Sequence, residues 1–375
     1  MKAANNGQSN ASFKNKKAQV EVQFNWIFIL IVGAIILSFF VTIAVRQKGI
    51  SEQEINIAFF TNFEKALSGI AAVEGKMLLF EVPKMDLRYD CTPGCDCAAY
   101  AGTSRAKVVG GALFSFKDKI IFSPNSLKGN NLLTWSKDWS YPFRITNFLF
   151  MTSPEVKYLI EDTSHGKVLF ENLPPIFIQK EQKEQRAFDK QLLTQEQIEG
   201  QTIPGITGNY KVKFVFTETD PVTTNFNIPT ALKDLPNSDV TAIKIENEKV
   251  TFYQKNDLKF EIIGESYLFG EATTYASIFA EDLNAYGCMM NRAMKSFNMV
   301  SRIYQEKQLQ YFIYPVLEAK DCKIHYVGTA ISNLIKILDD FNFKEQEDAS
   351  SITNNVLSFA TQNDNALKDS CPHIY

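Results

Sequence analysis

The run from Phe24 to Val45, FNWIFILIVGAIILSFFVTIAV, contains no charged residue. As a helix it covers about 33 Å, enough to cross the hydrocarbon core of a bilayer. This segment constrains the chain more than any other, because it predicts a single transmembrane helix with a large domain held at the membrane behind it. Trp26 lies near one edge and Arg46 at the other, where interfacial anchors sit. A buried helix of a soluble domain seldom stays free of charge over such a length. An ordinary secretory signal has a shorter apolar core and ends in small residues spaced for cleavage, whereas this run ends Thr42-Ile43-Ala44-Val45-Arg46.

Charge gives the run a direction. Lys2, Lys14, Lys16 and Lys17 precede it, while the segment from Arg46 to Glu64 sets Arg46 and Lys48 against Glu52, Glu54 and Glu64. Positive flanks stay in the cytoplasm. The amino terminus is therefore expected inside the plasma membrane and the bulk of the chain outside it. All six cysteines follow the run, as expected of a domain that forms disulfides in an oxidising compartment. The net charge of −3 offers no basic field for nucleic acid, so the expected partners are the lipid bilayer and other surface proteins.

At the amino-terminal edge, Lys16-Lys17-Ala18-Gln19 is followed by Val20-Glu21-Val22-Gln23-Phe24 and the apolar run. Over about residues 14–45 this resembles the archaeal class III signal peptides of type IV pilin-like proteins. In that family a basic pair, a small residue and Gln precede the hydrophobic helix, and cleavage before the Gln leaves the helix on the mature protein. The resemblance implies processing between Ala18 and Gln19 and self-association through the anchor helix. The family usually carries an acidic residue at the fifth mature position, where this chain has Gln23, with Glu21 two places earlier. Two readings follow: an uncleaved anchor with a cytoplasmic tail over 1–23, and a processed pilin-like subunit of a surface filament.

Beyond the span at 24–45, a helical stalk is expected over 46–75, with Ile55, Phe59, Phe63 and Leu67 on one stripe and Gly49 as a plausible break. Strand-like segments then dominate 76–275. Among them are Met77 to Val82, Asp86 to Cys91, Lys107 to Phe116, Phe143 to Met151, Val156 to Glu161 and Tyr210 to Phe216. The alternation in Tyr210 to Phe216 predicts a half-covered or edge strand, and Val240 to Glu246 joins Lys249 to Tyr253 through Asn247-Glu248 as a hairpin. A helix is expected over Gly166 to Leu173, and the polar stretch Gln179 to Gly200 reads as an exposed helix with Phe188 and Leu192 on one side, with a mobile insertion as the alternative. Strands separated by helices predict a mixed α/β sheet. From 276 to 375 the pattern becomes helical: one long helix from Phe279 to Tyr304, then a hairpin whose turn lies near Lys344 to Ser350. The fold class is thus α/β with a mixed sheet, extracytoplasmic, with a carboxy-terminal helical subdomain and a single amino-terminal transmembrane anchor.

In that hairpin the open end brings Cys322, before one helix, beside Cys371, after the other, which predicts a disulfide clasp. Cys91, Cys95, Cys97 and Cys288 remain. They are expected to form one bridge within the close cluster and one from the cluster to Cys288, tying sheet to helices. The three histidines His165, His325 and His373 are scattered, and there is no Cys-x-x-Cys and no phosphate-cradling glycine loop, so no metal or cofactor site is predicted. His165 in Asp162-Thr163-Ser164-His165-Gly166 reads as a turn, and Glu281-Asp282 as the acidic start of a helix. Trp135, Trp139 and Tyr141, interleaved with polar residues, are a candidate recognition patch or the cap of a sheet core. The functional expectation is a membrane-anchored surface protein of structural or binding role. A filament subunit and a membrane-tethered enzyme of unrecognised class are the rivals.

Overall fold

The computed structural model describes residues 16–82, 87–91, 95, 97–101, 113–115, 119–180, 183–200, 203–206, 210–224, 226–313, 322–341 and 347–375. The chain divides into two units, Met1–Ile55 and Asn56–Tyr375. Helix α1 (Lys16–Ala71) continues through Gly49 without the break expected there. In the first unit, side chains are described over 29–43, where Ile29, Leu30, Ile35, Leu37, Phe39 and Phe40 are exposed. The Thr42 hydroxyl donates to the Ser38 carbonyl at 2.7 Å. This described stretch is shorter than the about 20 residues a span needs, and among the described residues no helix is long and apolar enough to cross a membrane. The side chains of 16–28 lie outside the described residues, Ala18 and Gln19 among them.

In the second unit, Phe60, Phe63, Leu67 and Ile70 recur at helical spacing on one face of α1 and are buried. That face packs on a sheet of β1 (Met77–Glu81), β5 (Ile121–Phe122), β7 (Asn131–Ser140) and β8 (Arg144–Thr152), in the order β1-β7-β8-β5. Phe63 meets Phe80 edge-on with ring centres 5.0 Å apart, and Asn147 closes the end of α1 by donating to the Ala71 carbonyl at 2.7 Å. A second antiparallel sheet has the order β4-β3-β2-β6, from β2 (Leu87–Cys91), β3 (Cys97–Ala101), β4 (Leu113–Ser115) and β6 (Ser126–Leu127). Of the strand expected over Lys107 to Phe116, only β4 falls within the described residues.

The third sheet positions the candidate site. It is built from β9 (Val156–Glu161), β12 (Asp189–Leu193), β13 (Lys211–Phe216), β14 (Val240–Glu246), β15 (Lys249–Asn256) and β16 (Lys259–Tyr267), in the order β12-β9-β13-β14-β15-β16. The first four are parallel and the last two antiparallel. Helix α2 (Ser164–Asn172) follows β9 and sends Leu169 into the main core, whereas α3 (Gln195–Gly200) follows β12 and sends Ile198 into a second core. Leu159, Val212, Phe214 and Phe216 line that second core with Phe226 and Phe260. Both faces are therefore covered, as a parallel sheet requires.

Two expectations are corrected here. Lys211–Phe216 is buried at every position rather than half-covered, because its alternate lysines find partners inside the protein. The segment Gln179 to Gly200 is not one helix. It forms the hairpin of β10 (Phe177–Lys180) and β11 (Lys183–Arg186), then β12 and the single short helix α3. Parallel pairing of β12 with β9, Lys190 opposite Tyr158, overrides the helix-favouring composition. The hairpin of β14 and β15 turns at Asn247, whose φ of 55° is left-handed.

The carboxy-terminal region contains α4 (Glu271–Phe279), α5 (Leu283–Ile313), α6 (Ala330–Asp340) and α7 (Glu347–Lys368). The long helix expected from Phe279 starts later, because Ala280 is extended and separates α4 from α5. Helix α5 packs on α6, and α6 on α7. Of the hairpin turn expected near Lys344 to Ser350, 344–346 lie outside the described residues and 347–350 already belong to α7.

Candidate functional site

The order of the third sheet creates a switch point. From β9 the chain moves to one side to form β12, and then returns to the other side of β9 to form β13. The connections leaving β9 and β13 thus diverge over opposite faces, and a crevice opens outside the carboxyl ends of these strands, the usual ligand position in open α/β sheets. A cavity of about 690 Å³ lies there, with Glu161, Thr163, Glu218, Thr219, Asp220 and Lys244 in its lining.

Local sequence explains the shape of the crevice. Thr163 caps α2 by accepting from the Gly166 N–H at 2.9 Å. A side chain at Gly166 would collide with the Glu161 carbonyl oxygen, so glycine is what lets the helix start this close to the strand end. Beyond β13, Asp220 accepts from the N–H groups of Val222 at 2.9 Å and Thr223 at 3.3 Å, which curls the second loop back over the cavity.

The chemistry of the floor is set by Glu161, which is 3% exposed. Its carboxylate accepts from the backbone N–H of Thr217 at 2.6 Å, of Glu218 at 2.8 Å and of Thr219 at 3.1 and 3.2 Å, and also from the Thr219 hydroxyl. Successive N–H groups of this kind form an anion-binding nest, and the chain fills that nest with its own carboxylate. The nest at the floor of the crevice is therefore already occupied, and offers no vacant phosphate cradle among the described residues. The rim of the crevice carries hydroxyls and the carboxylates of Asp162, Glu218 and Asp220. Lys244 is tied to Glu246 at 2.9 Å. A net negative, hydroxyl-rich crevice suits a ligand that presents cationic or hydroxyl groups.

Buried lysines set the electrostatics of the strands below. Lys213 points to the face covered by α4 and donates to the carbonyls of Ala280 and Glu281. Burial pushes its ammonium down to about 8, with Glu281 and Asp282 acting in the opposite sense. Lys190 donates to the Phe170 and Leu173 carbonyls at the end of α2, and burial lowers it to about 8 against the opposing charge of Glu171. Each cation thus satisfies carbonyls at the end of a helix. Glu281 pairs with Lys211 at 2.6 Å and Asp282 accepts from the Ala285 N–H at 2.8 Å. This pair, read as the acidic start of a helix, serves one packing role and one capping role. Among the described residues no group of three or more His, Cys, Asp or Glu side chains is arranged to hold a metal.

The cysteines form Cys91–Cys97, Cys95–Cys288 and Cys322–Cys371, with Cα separations of 4.0, 5.0 and 5.7 Å. Of the three aromatics in the candidate patch, Trp135 and Trp139 lie in the core and Tyr141 packs at its edge. Trp135 is 7% exposed and packs on Phe150 and Tyr275, while Trp139 is fully buried and donates to the Phe269 carbonyl at 2.7 Å. Tyr141, partly buried, donates to the Thr353 hydroxyl at 3.0 Å. In β7 both tryptophans share parity and so one face of the strand, and the opposite face is buried as well at Leu132, Thr134 and Ser136. Sequence reasoning passed over the crevice, although it left a signal: two buried strands each end in a run of acids and threonines, Glu161-Asp162-Thr163 and Thr217-Glu218-Thr219-Asp220. No family model, curated protein or solved structure matches the chain, so what this crevice implies is argued from its own geometry.

Proposed function

We propose that the chain is a membrane-anchored extracytoplasmic protein with a binding role, whose ligand face is the crevice at the ends of β9 and β13. The observation that carries this reading is the pairing of all six cysteines in three bridges, a state that persists in oxidising compartments. It is supported by the exposed apolar side chains over 29–43 and by Thr42, whose hydroxyl is satisfied within the helix, as a lipid environment demands. Protease added to intact cells of the native host tests the orientation. Digestion of the domain with survival of a short membrane-embedded fragment is the expected result, and a fully protected chain contradicts it.

The unbroken passage of α1 through Gly49 favours one second reading, the pilin-like subunit of a surface filament. One continuous helix can mate with copies of itself while its far end is fixed in a folded domain. Mass spectrometry of the mature amino terminus separates the two: a chain beginning at Gln19 supports the filament subunit, and a retained tail supports the uncleaved anchor.

A further inference from the structure

At the end of the parallel strands opposite the crevice, side chains from separate elements converge on one amine. Lys211, the first residue of β13, is 4% exposed. Its Nζ lies 2.6 Å from Glu281 Oε1, 3.1 Å from Asn125 Oδ1 and 3.0 Å from Asp239 Oδ1. Glu281 is itself buried, and its other oxygen accepts the backbone N–H of Asn125 at 2.9 Å. One carboxylate therefore holds both the amine and the amide-bearing residue in place. The gap beside them, walled by Pro124, Val156, Tyr158 and Phe279, has a volume of about 10 Å³, room for about one water at most.

The geometry points to a modification site: an intramolecular amide between Lys211 Nζ and Asn125 Cγ, formed with Glu281 as proton shuttle. Glu281 takes a proton from the Lys211 ammonium, and the freed lone pair attacks Cγ. The new C–Nζ bond forms as the Cγ–Nδ2 bond breaks. Glu281 passes that proton to the departing nitrogen, which leaves as ammonia, and takes the second proton from the now cationic Nζ, so that solvent carries this proton to the ammonia as ammonium. One ammonium and one primary amide thus become one secondary amide and one ammonium ion, with no oxidant and no external reactant. Fixed proximity and the exclusion of competing water are what drive such a reaction between ordinarily inert groups. The product staples the loop before β6 to the start of β13, independently of what the crevice binds or where the chain is anchored.

Peptide mapping of the reduced, denatured full-length protein by tandem mass spectrometry tests it. The expected wild-type result is a branched peptide joining Asn125 to Lys211, lighter than its two linear parts by one ammonia. Glu281→Gln, which keeps the size but removes the shuttle, and Lys211→Arg are expected to yield only linear peptides. Linear peptides carrying unmodified Asn125 and Lys211 from the folded wild type would overturn the inference, and so would a branch from Lys211 to Asp239 lighter by one water. The wild-type map decides alone if either variant fails to fold.

Discussion

Glu161 and Lys213 show how a single buried charge is made tolerable in two different ways. Glu161 is surrounded by backbone donors, so Glu161→Ala leaves the buried Thr217 N–H and the part-buried N–H groups of Glu218 and Thr219 without that partner, and is expected to cost about 1–3 kcal/mol in a denaturant titration. Lys213 has carbonyl acceptors but no carboxylate in direct contact, and its lowered proton affinity has a consequence for pH. Below pH 8 it is charged in both folded and unfolded states and the burial penalty is fully present. Between pH 8 and its ordinary 10.5 the unfolded chain holds more protons, so stability rises with pH. Lys190 acts in the same direction. Above about pH 10 the sign reverses, because burial keeps the Tyr89, Tyr158 and Tyr286 hydroxyls protonated in the folded state while the unfolded chain ionises them. Stability measured against pH is thus expected to pass through an alkaline maximum, and Lys213→Met to flatten the rising limb. Neither role is legible in the residue itself. Lys211 and Lys213 alternate with apolar neighbours just as solvent-facing lysines would, and only the packing of α4 over that face reveals them as buried.

At the scale of elements, local pattern carries furthest where one face meets one core. The amphipathic spacing of α6 and α7 and the turn at Asn247 are readable because each pattern has a single cause. It fails where long-range pairing decides. Strand β12 has polar, helix-favouring composition and is held as a strand by its parallel register with β9, and β7 hides its alternation behind Trp and Lys. The clasp was legible because a helical hairpin fixes which ends meet. Its bridge closes a separation of 49 residues, and serine at both Cys322 and Cys371 is expected to lower stability by about 4 kcal/mol. The same change at Cys91 and Cys97, separated by 6 residues, is expected to cost only about 2 kcal/mol. Thermal unfolding of the two double variants checks the ranking. Gly166→Ala tests the crevice wall: collision with the Glu161 carbonyl should push α2 away and cost more than about 3 kcal/mol, beyond the effect of helix propensity, which runs the other way.

For the whole molecule, the three bridges and the apolar amino-terminal run are the two features on which the proposed placement rests. Cys95–Cys288 ties the β2–β3 hairpin to α5 across a separation of 193 residues, and Arg292 reinforces the joint by donating to the Cys95 carbonyl at 2.9 Å. A domain held by such long closures is expected to form only where thiols oxidise. The switch-point crevice belongs to this scale as well, since it arises from the order of strands rather than from any motif, and no stretch of sequence contains it. We propose that this domain stands at a membrane, in an oxidising compartment. Fractionation of native host cells, combined with thiol alkylation before and after reduction, tests it most directly. The chain is expected in the membrane fraction, released by detergent but not by high salt or alkali, with no cysteine alkylated until reductant is added and all six alkylated afterwards. Recovery in the soluble fraction with six thiols that react without reduction would rule that placement out.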